Sequence, residues 1–291
     1  MPDKIGTLKI NNTKTLLNPS TRLCALIFSR AKFGKTTLAA TLDALTRKYR
    51  GKPTLIIASE IAEGGGTMTL QGQDIDYVMP QNWTEMENLL ANLATNDYYG
   101  GVVLDNASDY VARIVKPHAL SFPAKERELG ARSVGVPVRS DYQVMGECAR
   151  QQLNRLVNLT NENTKEQYRK DLVVTALERE RQNADGQITA ITPDLPGALA
   201  DAVTAMFQSV VSISIKPRVI KEANGTTRRI STRMLHVNAD GLRVSDDRTG
   251  IFTHEFPLTK DDGTSQGLVE IYERFLERYS TAAARSNSGT S

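Results

Sequence analysis

Residues 28–42, FSRAKFGKTTLAATL, contain most of the signature G-x-x-x-x-G-K-[ST]. Gly34, Lys35 and Thr36 occupy its last three defined positions, and Ser29 stands where the first glycine belongs. In such a loop, backbone N–H groups hold phosphate oxygens, the lysine reaches the β- and γ-phosphates, and the threonine hydroxyl ligates Mg²⁺. The motif therefore predicts a site for ATP and Mg²⁺ formed by nine consecutive residues, namely Ser29, Arg30, Ala31, Lys32, Phe33, Gly34, Lys35, Thr36 and Thr37.

Two residues of this loop leave questions open. Ser29 is expected at the rim of the phosphate cradle, where a small side chain is tolerated if the backbone angles suit a Cβ. Lys32 offers either a second cation for the phosphates or a side chain in solvent, and the sequence does not decide between them.

Asp105 follows the small and apolar run Gly101 to Leu104 and is predicted to lie at a strand end. A carboxylate there can hold Mg²⁺ through water, so Thr36 and Asp105 are the predicted metal residues. A turn cap is the alternative role, and Asn106 and Ser108 are lesser candidates for the site.

Glu60 ends the predicted strand PTLIIASE, which follows the loop helix. A carboxylate at that position can act as general base on the attacking water, so Glu60 is the predicted catalytic residue together with Lys35. Glu63 competes with it, and a surface glutamate is the alternative interpretation.

These residues need strands and helices to position them. Apolar runs predict strands at 22–29, 53–60, 75–80, 99–110 and 171–177, and apolar periodicity predicts helices at 34–51, 82–96, 142–159 and 193–208. Thr84 with Glu87 is the expected N-cap pair of the second helix. Residues 114–140 are expected to form a long loop with helical pieces, and the Asn224-Gly225 pair predicts a β-hairpin.

Strands that alternate with helices predict an α/β fold with a largely parallel sheet, extended by a C-terminal antiparallel hairpin. Ligands of such sheets bind at the carboxyl ends of the strands, where the candidate residues lie. We expect an N-terminal extension at 1–20, one ATPase domain at 21–279, and a disordered tail at 280–291.

Composition excludes several classes of protein. The chain has 291 residues, of which 40% are hydrophobic and 24% charged, as is typical of a globular protein. No apolar run reaches the roughly 20 residues that span a bilayer, and residues 1–14 lack the apolar core of a secretory signal. The only two cysteines, Cys24 and Cys148, lack metal-ligand spacing and are expected to be buried thiols in the cytoplasm.

Basic residues cluster in two segments although the net charge is only +3. Residues 216–233 hold six basic side chains against Glu222, and residues 113–139 hold six against two glutamates. Either cluster could bind phosphates or form a solvated basic face.

The blocks FSRAKFGKTTLA, VVLDNAS, LVVTALERE and ITPDLPGALADAV resemble bacteriophage RecA-like ATP-binding proteins, a group that includes single-strand-annealing recombination proteins. The resemblance spans roughly residues 20–260. Members tend to have glycine at the Ser29 position and lysine at the Lys32 position. The resemblance implies a RecA-like P-loop NTPase fold, with Glu60 as the catalytic glutamate and Asp105 as the Walker B aspartate.

The resemblance also implies roles for the surrounding segments. A residue at the end of VVTALER senses the γ-phosphate, and Thr175, Glu178 and Arg179 are the candidates. Loops at 113–140 and 178–192 correspond to those that line the DNA channel of RecA-like recombinases. A neighbouring subunit often supplies a cation, for which Arg228, Arg229 and Arg248 are candidates.

Together these features predict a Mg²⁺-dependent ATPase of a bacterial host cytoplasm. It is expected to bind single-stranded DNA, to hydrolyse ATP under DNA stimulation, and to promote annealing or strand exchange as a homo-oligomer. A helicase loader or motor subunit that does not pair strands is the alternative, and a small-molecule kinase is a more distant one. A single-strand-binding protein or another replication protein is an expected partner.

Overall fold

A computed structural model describes residues 4–5, 8–9, 21–60, 66–122, 139–221, 225–237, 242–252, 255–260 and 264–277. Its main sheet has ten strands. In chain order the strands of the structure are β1 (Lys4–Ile5), β2 (Leu8–Lys9), β3 (Cys24–Ser29), β4 (Thr54–Ala58), β5 (Asp76–Val78), β6 (Gly101–Asp105), β7 (Asp171–Gln182), β8 (Ile188–Pro193), β9 (Ser209–Lys221), β10 (Thr227–His236), β11 (Asp246–Asp247) and β12 (Glu255–Pro257).

The strand order of the main sheet is β12-β10-β9-β3-β7-β6-β4-β5, with β8 pairing β7 and β11 pairing β9. Pairs from β9 through β3, β7, β6 and β4 to β5 are parallel, and β10 and β12 add antiparallel pairs. Strand β7 therefore lies between β3, which leads into the phosphate loop, and β6, which ends at Asp105. This arrangement confirms the predicted parallel sheet with an antiparallel extension.

Helices cover both faces of this sheet, as expected for a parallel sheet. They are α1 (Lys35–Ala40), α2 (Leu42–Arg50), α3 (Trp83–Leu93), α4 (Ala107–Tyr110), α5 (Lys116–Ser121), α6 (Arg139–Asn158), α7 (Leu199–Met206) and a C-terminal helix over 268–277. One buried cluster joins β3 residues such as Ile27 to Leu38 of α1 and Ile271 of the C-terminal helix. The other joins Leu26 and Phe28 to α3, α6 and α7 on the opposite face.

The helix predicted over 34–51 is two helices. Thr41 separates them, and its Oγ1 accepts a hydrogen bond from the Leu268 N–H at 2.9 Å while donating to Leu38 O at 2.6 Å. A threonine hydroxyl that bonds the carbonyl three residues back competes with the helical pattern. The C-terminal helix thus docks at the break between α1 and α2.

Two further local predictions were wrong. The N-cap of α3 is Asn82, not Thr84, because the Asn82 side chain accepts from the Glu85 N–H and the Glu85 carboxylate accepts from the Gln81 N–H. The strand predicted over 99–110 ends at Asp105, and residues 107–121 are continuously helical, with a π-helical turn at Val111–Val115. Helix α5 is one of the helical pieces expected within the loop at 114–140. Residues 123–138 of that expected loop lie outside the described residues.

The charged segment after residue 177 is a β-hairpin rather than a loop. Strand β7 continues to Gln182 and pairs antiparallel with β8. The Asn183 side chain accepts hydrogen bonds from the Asp185 and Gln187 N–H groups, and Gly186 takes a φ of 77°. The hairpin predicted at Gly225 is confirmed, since β9 and β10 pair in register from Lys221–Thr227 onwards.

The ends of the chain are described only in part. In the N-terminal segment β1 and β2 pair antiparallel, and the tail predicted to be disordered lies outside the described residues. Cys24 and Cys148 are both buried free thiols, as predicted, and burial raises the pKa of Cys24 to about 11. None of the helices in the described ranges combines the length and apolar character needed to cross a membrane.

Candidate functional site

The phosphate loop leaves the end of β3 and enters α1, as the motif requires. Gly34 precedes α1 with a φ of 89°, and Lys32 takes a φ of 65°. Lys32 is the one non-glycine residue with positive φ among the residues described. Ser29 therefore needs no glycine conformation, which explains how serine can stand at the first position of the signature.

Lys35 is held by the start of its own loop. Its Nζ donates to Ser29 O at 3.0 Å and to Arg30 O at 2.9 Å, and Ser29 Oγ lies 3.4 Å away. Ser29 is fully buried beneath this contact rather than at a rim. Burial lowers the pKa of Lys35, while the negative charges of Asp105, Glu178 and Glu60 oppose that shift. The ammonium is thus already positioned inside the loop.

Asp105 connects the phosphate loop to the neighbouring strand. Thr36 Oγ1 donates to Asp105 Oδ2 at 2.6 Å, and Thr175 Oγ1 donates to Asp105 Oδ1. Asp105 itself is almost fully buried, and its peptide bond to Asn106 is cis. The two residues predicted to hold the metal are therefore in direct contact.

Glu60 joins this pair from a position two residues after β4, which ends at Ala58 rather than at Glu60 as predicted. The position that a Cβ would take at Gly66 lies 2.6 Å from Thr36 Oγ1, 2.8 Å from Glu60 Oε1 and 3.3 Å from Asp105 Oδ2. The Gly66 N–H also donates to Glu60 Oε2. Three oxygen atoms from three separate segments thus converge beside one glycine.

Burial raises the pKa of Glu60, with the charges of Asp105 and Asp109 adding to the shift. The hydrogen bond from Gly66 and the charge of Lys35 act in the opposite direction. A carboxyl with a raised pKa binds a proton more readily, as a general base requires.

The converging side chains open into a cavity of about 670 Å³. Its lining includes Ala31, Lys32, Gly34, Lys35, Thr36, Thr37, Glu60 and Asp105 from the predicted set. Three predicted residues point elsewhere. Ser29 lies beneath the loop, Arg30 pairs with Glu178 at 2.8 Å and with Glu180, and Phe33 packs against the core.

The oxygen set fits Mg²⁺. Carboxylate and hydroxyl oxygens are the donors that this hard cation prefers, and it is usually bound by one or two protein groups together with substrate phosphates. Within the described ranges no three His, Cys, Asp or Glu side chains form a self-sufficient metal cluster. Thr36 and Asp105 therefore suit a metal that arrives with a phosphate ligand.

The lesser candidates near Asp105 have structural contacts. The Asn106 side chain caps α4 by accepting from the Asp109 N–H at 2.9 Å. Ser108 Oγ accepts from the Leu177 N–H at 3.0 Å and donates to Asp194 O at 2.9 Å, which links α4 to β7 and to the residue after β8. Glu63, the competitor of Glu60, lies outside the described residues.

The three candidates for sensing the γ-phosphate occupy different positions. Thr175 is fully buried against Asp105, Glu178 pairs with Arg30, and Arg179 lies 3.8 Å from Asp194 on the surface. Strand β7 contributes Leu177 to the lining of the cavity. Of the three, Thr175 contacts the carboxylate of the candidate metal site.

Several basic residues of the two clusters are engaged within the fold. Arg113 donates to Glu60 O at 2.9 Å and to Gln81 Oε1 at 2.8 Å, so it fixes the end of β4. Lys216 pairs with Glu255 at 2.5 Å. Arg248, a candidate cation for a neighbouring subunit, lies 3.8 Å from Asp246 and is half-exposed. Arg229 is exposed on β10, and the side chain of Arg228 is not described.

Sequence reasoning missed four residues that line the cavity, namely Gly66, Thr69, Asp109 and Arg233. Gly66 ends a run of three glycines that matches none of the motifs considered in the sequence. Arg233 was counted within the basic cluster at 216–233, but its position beside the phosphate loop depends on the register of β10, which pairs Arg233 with Ile215. No spacing rule in the sequence singles it out.

A family model also matches the part of the chain that holds this site. The family model described as "AAA domain" matches residues 21–242. No curated protein sequence matches the chain. Among solved structures, the flagellar accessory protein FlaH from Methanocaldococcus jannaschii matches with a TM-score of 0.38 and 8% identity, over 82% of this chain and 84% of that chain.

Proposed function

We propose that the protein is a Mg²⁺-dependent ATPase. The chain belongs to the AAA domain family, and its sheet has the arrangement of a RecA-like P-loop NTPase fold. The observation that carries the proposal is the convergence of Thr36, Glu60 and Asp105 oxygens beside Lys35 in one cavity. Each is of the residue type that phosphoryl transfer to water needs at that position.

The reaction follows from these positions. Lys35 releases the Ser29 and Arg30 carbonyls and donates to the β- and γ-phosphates. Glu60 accepts the proton of the water whose oxygen attacks the γ-phosphorus, and the bond from that phosphorus to the β–γ bridging oxygen breaks, which yields ADP and inorganic phosphate. Thr36 and Asp105 would hold Mg²⁺, which neutralises charge on the phosphates when bound.

Two variants test this assignment. Lys35→Ala should abolish phosphate release and weaken nucleotide binding, while the exposed Lys48→Ala on α2 should change neither. Glu60→Gln should retain ATP but slow turnover by about 10²-fold or more, as loss of a general base does. The measurements are steady-state phosphate release and titration with a fluorescent ATP analogue.

Full activity in Lys35→Ala would overturn the site. If Glu60→Gln turns over normally while Glu63→Gln does not, Glu63 is the base. Transfer of phosphate to a small molecule, with no release to water, would favour a kinase instead.

We also propose that hydrolysis is coupled to single-stranded DNA in bacteriophage recombination, with the homo-oligomer promoting annealing or strand exchange in the cytoplasm of a bacterial host. The support is the charge of one segment of the sequence. Residues 113–139 carry a net charge of +4, with six basic side chains against two glutamates. A basic segment of this kind suits a phosphate backbone.

Phosphate release with and without a single-stranded oligonucleotide, at two salt concentrations, tests the coupling. We expect stimulation that weakens at higher salt, because phosphate contacts release counterions. If DNA neither binds nor changes hydrolysis, the DNA role fails while the ATPase assignment stands. Stimulation without faster annealing or strand exchange of complementary oligonucleotides would favour the helicase loader or motor subunit, and pull-down with a single-strand-binding protein tests that partner.

A further inference from the structure

Arg233 on β10 stands directly against the phosphate loop. A Cβ built on Gly34 would lie 3.3 Å from Arg233 Nε, 3.4 Å from its Cδ and 3.5 Å from its Cζ. The side chain lines the cavity that holds Lys35 and Thr36, and it also borders a second cavity of about 340 Å³ beside α1 and the C-terminal helix. The guanidinium therefore lies where the two cavities meet Gly34.

The sheet fixes this position. Leu235 is fully buried in the cluster that contains Leu38 of α1, and side chains two residues apart on a strand share a face. Arg233 therefore projects from the face that carries the phosphate-loop helix. Its backbone pairs with Ile215 in β9, and its carbonyl accepts from the Leu258 N–H at 2.8 Å. Its placement follows from strand register rather than from a loop.

The described part of the fold leaves the donors of Arg233 unused. Its guanidinium makes no hydrogen bond or ion pair with any residue in the described part of the chain. Neighbouring cations differ, since Arg30 pairs with Glu178, Lys216 pairs with Glu255, and Lys35 donates to two carbonyls. The exposed side chain of Arg233 thus presents unpaired N–H donors to the cavity.

We propose that Arg233 binds the polyphosphate chain of the nucleotide from within the same chain. The planar guanidinium matches phosphate oxygens with two parallel hydrogen bonds, which a lysine ammonium cannot reproduce. The inference rests on the proposed function, because it takes the cavity beside Lys35 as the nucleotide site. Arg233 is then a second phosphate-binding cation in addition to Lys35, and this cation is not supplied by a neighbouring subunit.

The test is the affinity for fluorescent ATP and ADP analogues of the wild type, Arg233→Met, Arg233→Lys and Arg150→Met. Methionine keeps an apolar stem, and Arg150 is a control arginine on α6 that pairs with Glu147 at 2.8 Å and does not line the cavity that holds Lys35. We expect Arg233→Met to weaken binding by about 10- to 100-fold, Arg233→Lys to recover part of that loss, and Arg150→Met to bind as the wild type does.

Wild-type affinity or tighter binding in Arg233→Met would overturn the inference. Equal weakening in Arg233→Met and Arg150→Met would overturn it too, because it would indicate only a diffuse charge effect. Unchanged thermal unfolding of Arg233→Met without nucleotide would exclude misfolding as the cause. If Arg233→Met unfolds, the nucleotide affinity of Arg233→Lys tests the inference instead. An affinity and a salt dependence equal to those of the wild type in Arg233→Lys would overturn it. A wild type that binds neither analogue would refute the proposed function itself, a result distinct from the outcomes above.

Discussion

Backbone groups position the two side chains proposed to carry the chemistry. Lys35 is bound by the carbonyls of Ser29 and Arg30, and the Glu60 carboxylate accepts from the Gly66 N–H. Arg113 in turn binds the carbonyl of Glu60. The side chain of Ser29 contributes little to holding Lys35, since Ser29 Oγ lies 3.4 Å from Lys35 Nζ. We therefore expect the phosphate loop to tolerate a serine at its first position.

The pH dependence of hydrolysis should report the environment of Glu60. Burial raises the pKa of Glu60 above the ordinary value of 4.5. As pH falls, the base should therefore be protonated, and activity lost, at a higher pH than if this carboxylate were exposed. Asp109 contributes to the raised pKa, so Asp109→Asn should move the acid limb of kcat/KM to lower pH. Protonation of ATP itself affects all variants equally. The quantity to compare is therefore the difference between the wild type and Asp109→Asn in the pH of the acid limb.

The control for this experiment is Glu60→Gln, whose residual activity should lack the limb that moves. An acid limb at the same pH in wild type and Asp109→Asn would contradict the role of Glu60 as the titrating base.

Among the elements, the short helical turn Gly66–Leu70 covers the converging oxygens. A Cβ at Gly66 would overlap Thr36 Oγ1 and Glu60 Oε1, so Gly66→Ala must displace the turn or the catalytic side chains. We expect a drop in kcat of about tenfold or more, since relieving such overpacking costs about 1–3 kcal/mol. Phosphate release at saturating ATP measures it.

Gly146→Ala is the matched control for this substitution. Gly146 lies inside α6, where a Cβ would meet nothing closer than Pro196 O at 3.9 Å. That variant should keep full activity and gain about 0.5–1 kcal/mol of stability. Equal activity of Gly66→Ala and the wild type would show that the turn is not part of the site.

Local sequence signals predicted the strands and the loop that hold the site residues. Features that depend on contacts between distant segments were not predicted. The phosphate loop and Asp105 lie at the ends of buried strands and Glu60 lies two residues after one, and apolar composition alone reveals these strands. The hairpin after Leu177 was missed although Asp185-Gly186 is a turn signal, because its strands are charged. The break at Thr41 requires the C-terminal helix, more than 200 residues away, whose Leu268 N–H bonds its hydroxyl. Arg233 depends on a register that no single segment specifies.

For the whole molecule, nucleotide binding should raise thermal stability, because a ligand that binds only the folded state shifts the unfolding equilibrium. At about one hundred times Kd, ATP with Mg²⁺ adds about 2.7 kcal/mol, which corresponds to a rise in Tm of about 5–10 °C for a domain of this size. Thermal unfolding followed by circular dichroism measures the rise.

Lys35→Ala should lose most of this rise, whereas Lys48→Ala, whose ammonium pairs with Glu273 on the surface, should keep it. The same rise in Lys35→Ala would mean that the nucleotide binds somewhere other than the phosphate loop.

The insertion of β7 between β3 and β6 also constrains how the chain can fold. Synthesis delivers Thr36, Glu60 and Asp105 well before Thr175, yet β3 and β6 reach their final separation only when β7 hydrogen-bonds to both. Until then each presents an open edge that can pair with the wrong strand. Bridging contacts of such long sequence separation form slowly, since loop closure precedes any gain from them. The oxygen cluster is therefore expected to form late in folding. Nucleotide would then bind only those chains in which β7 already lies between β3 and β6.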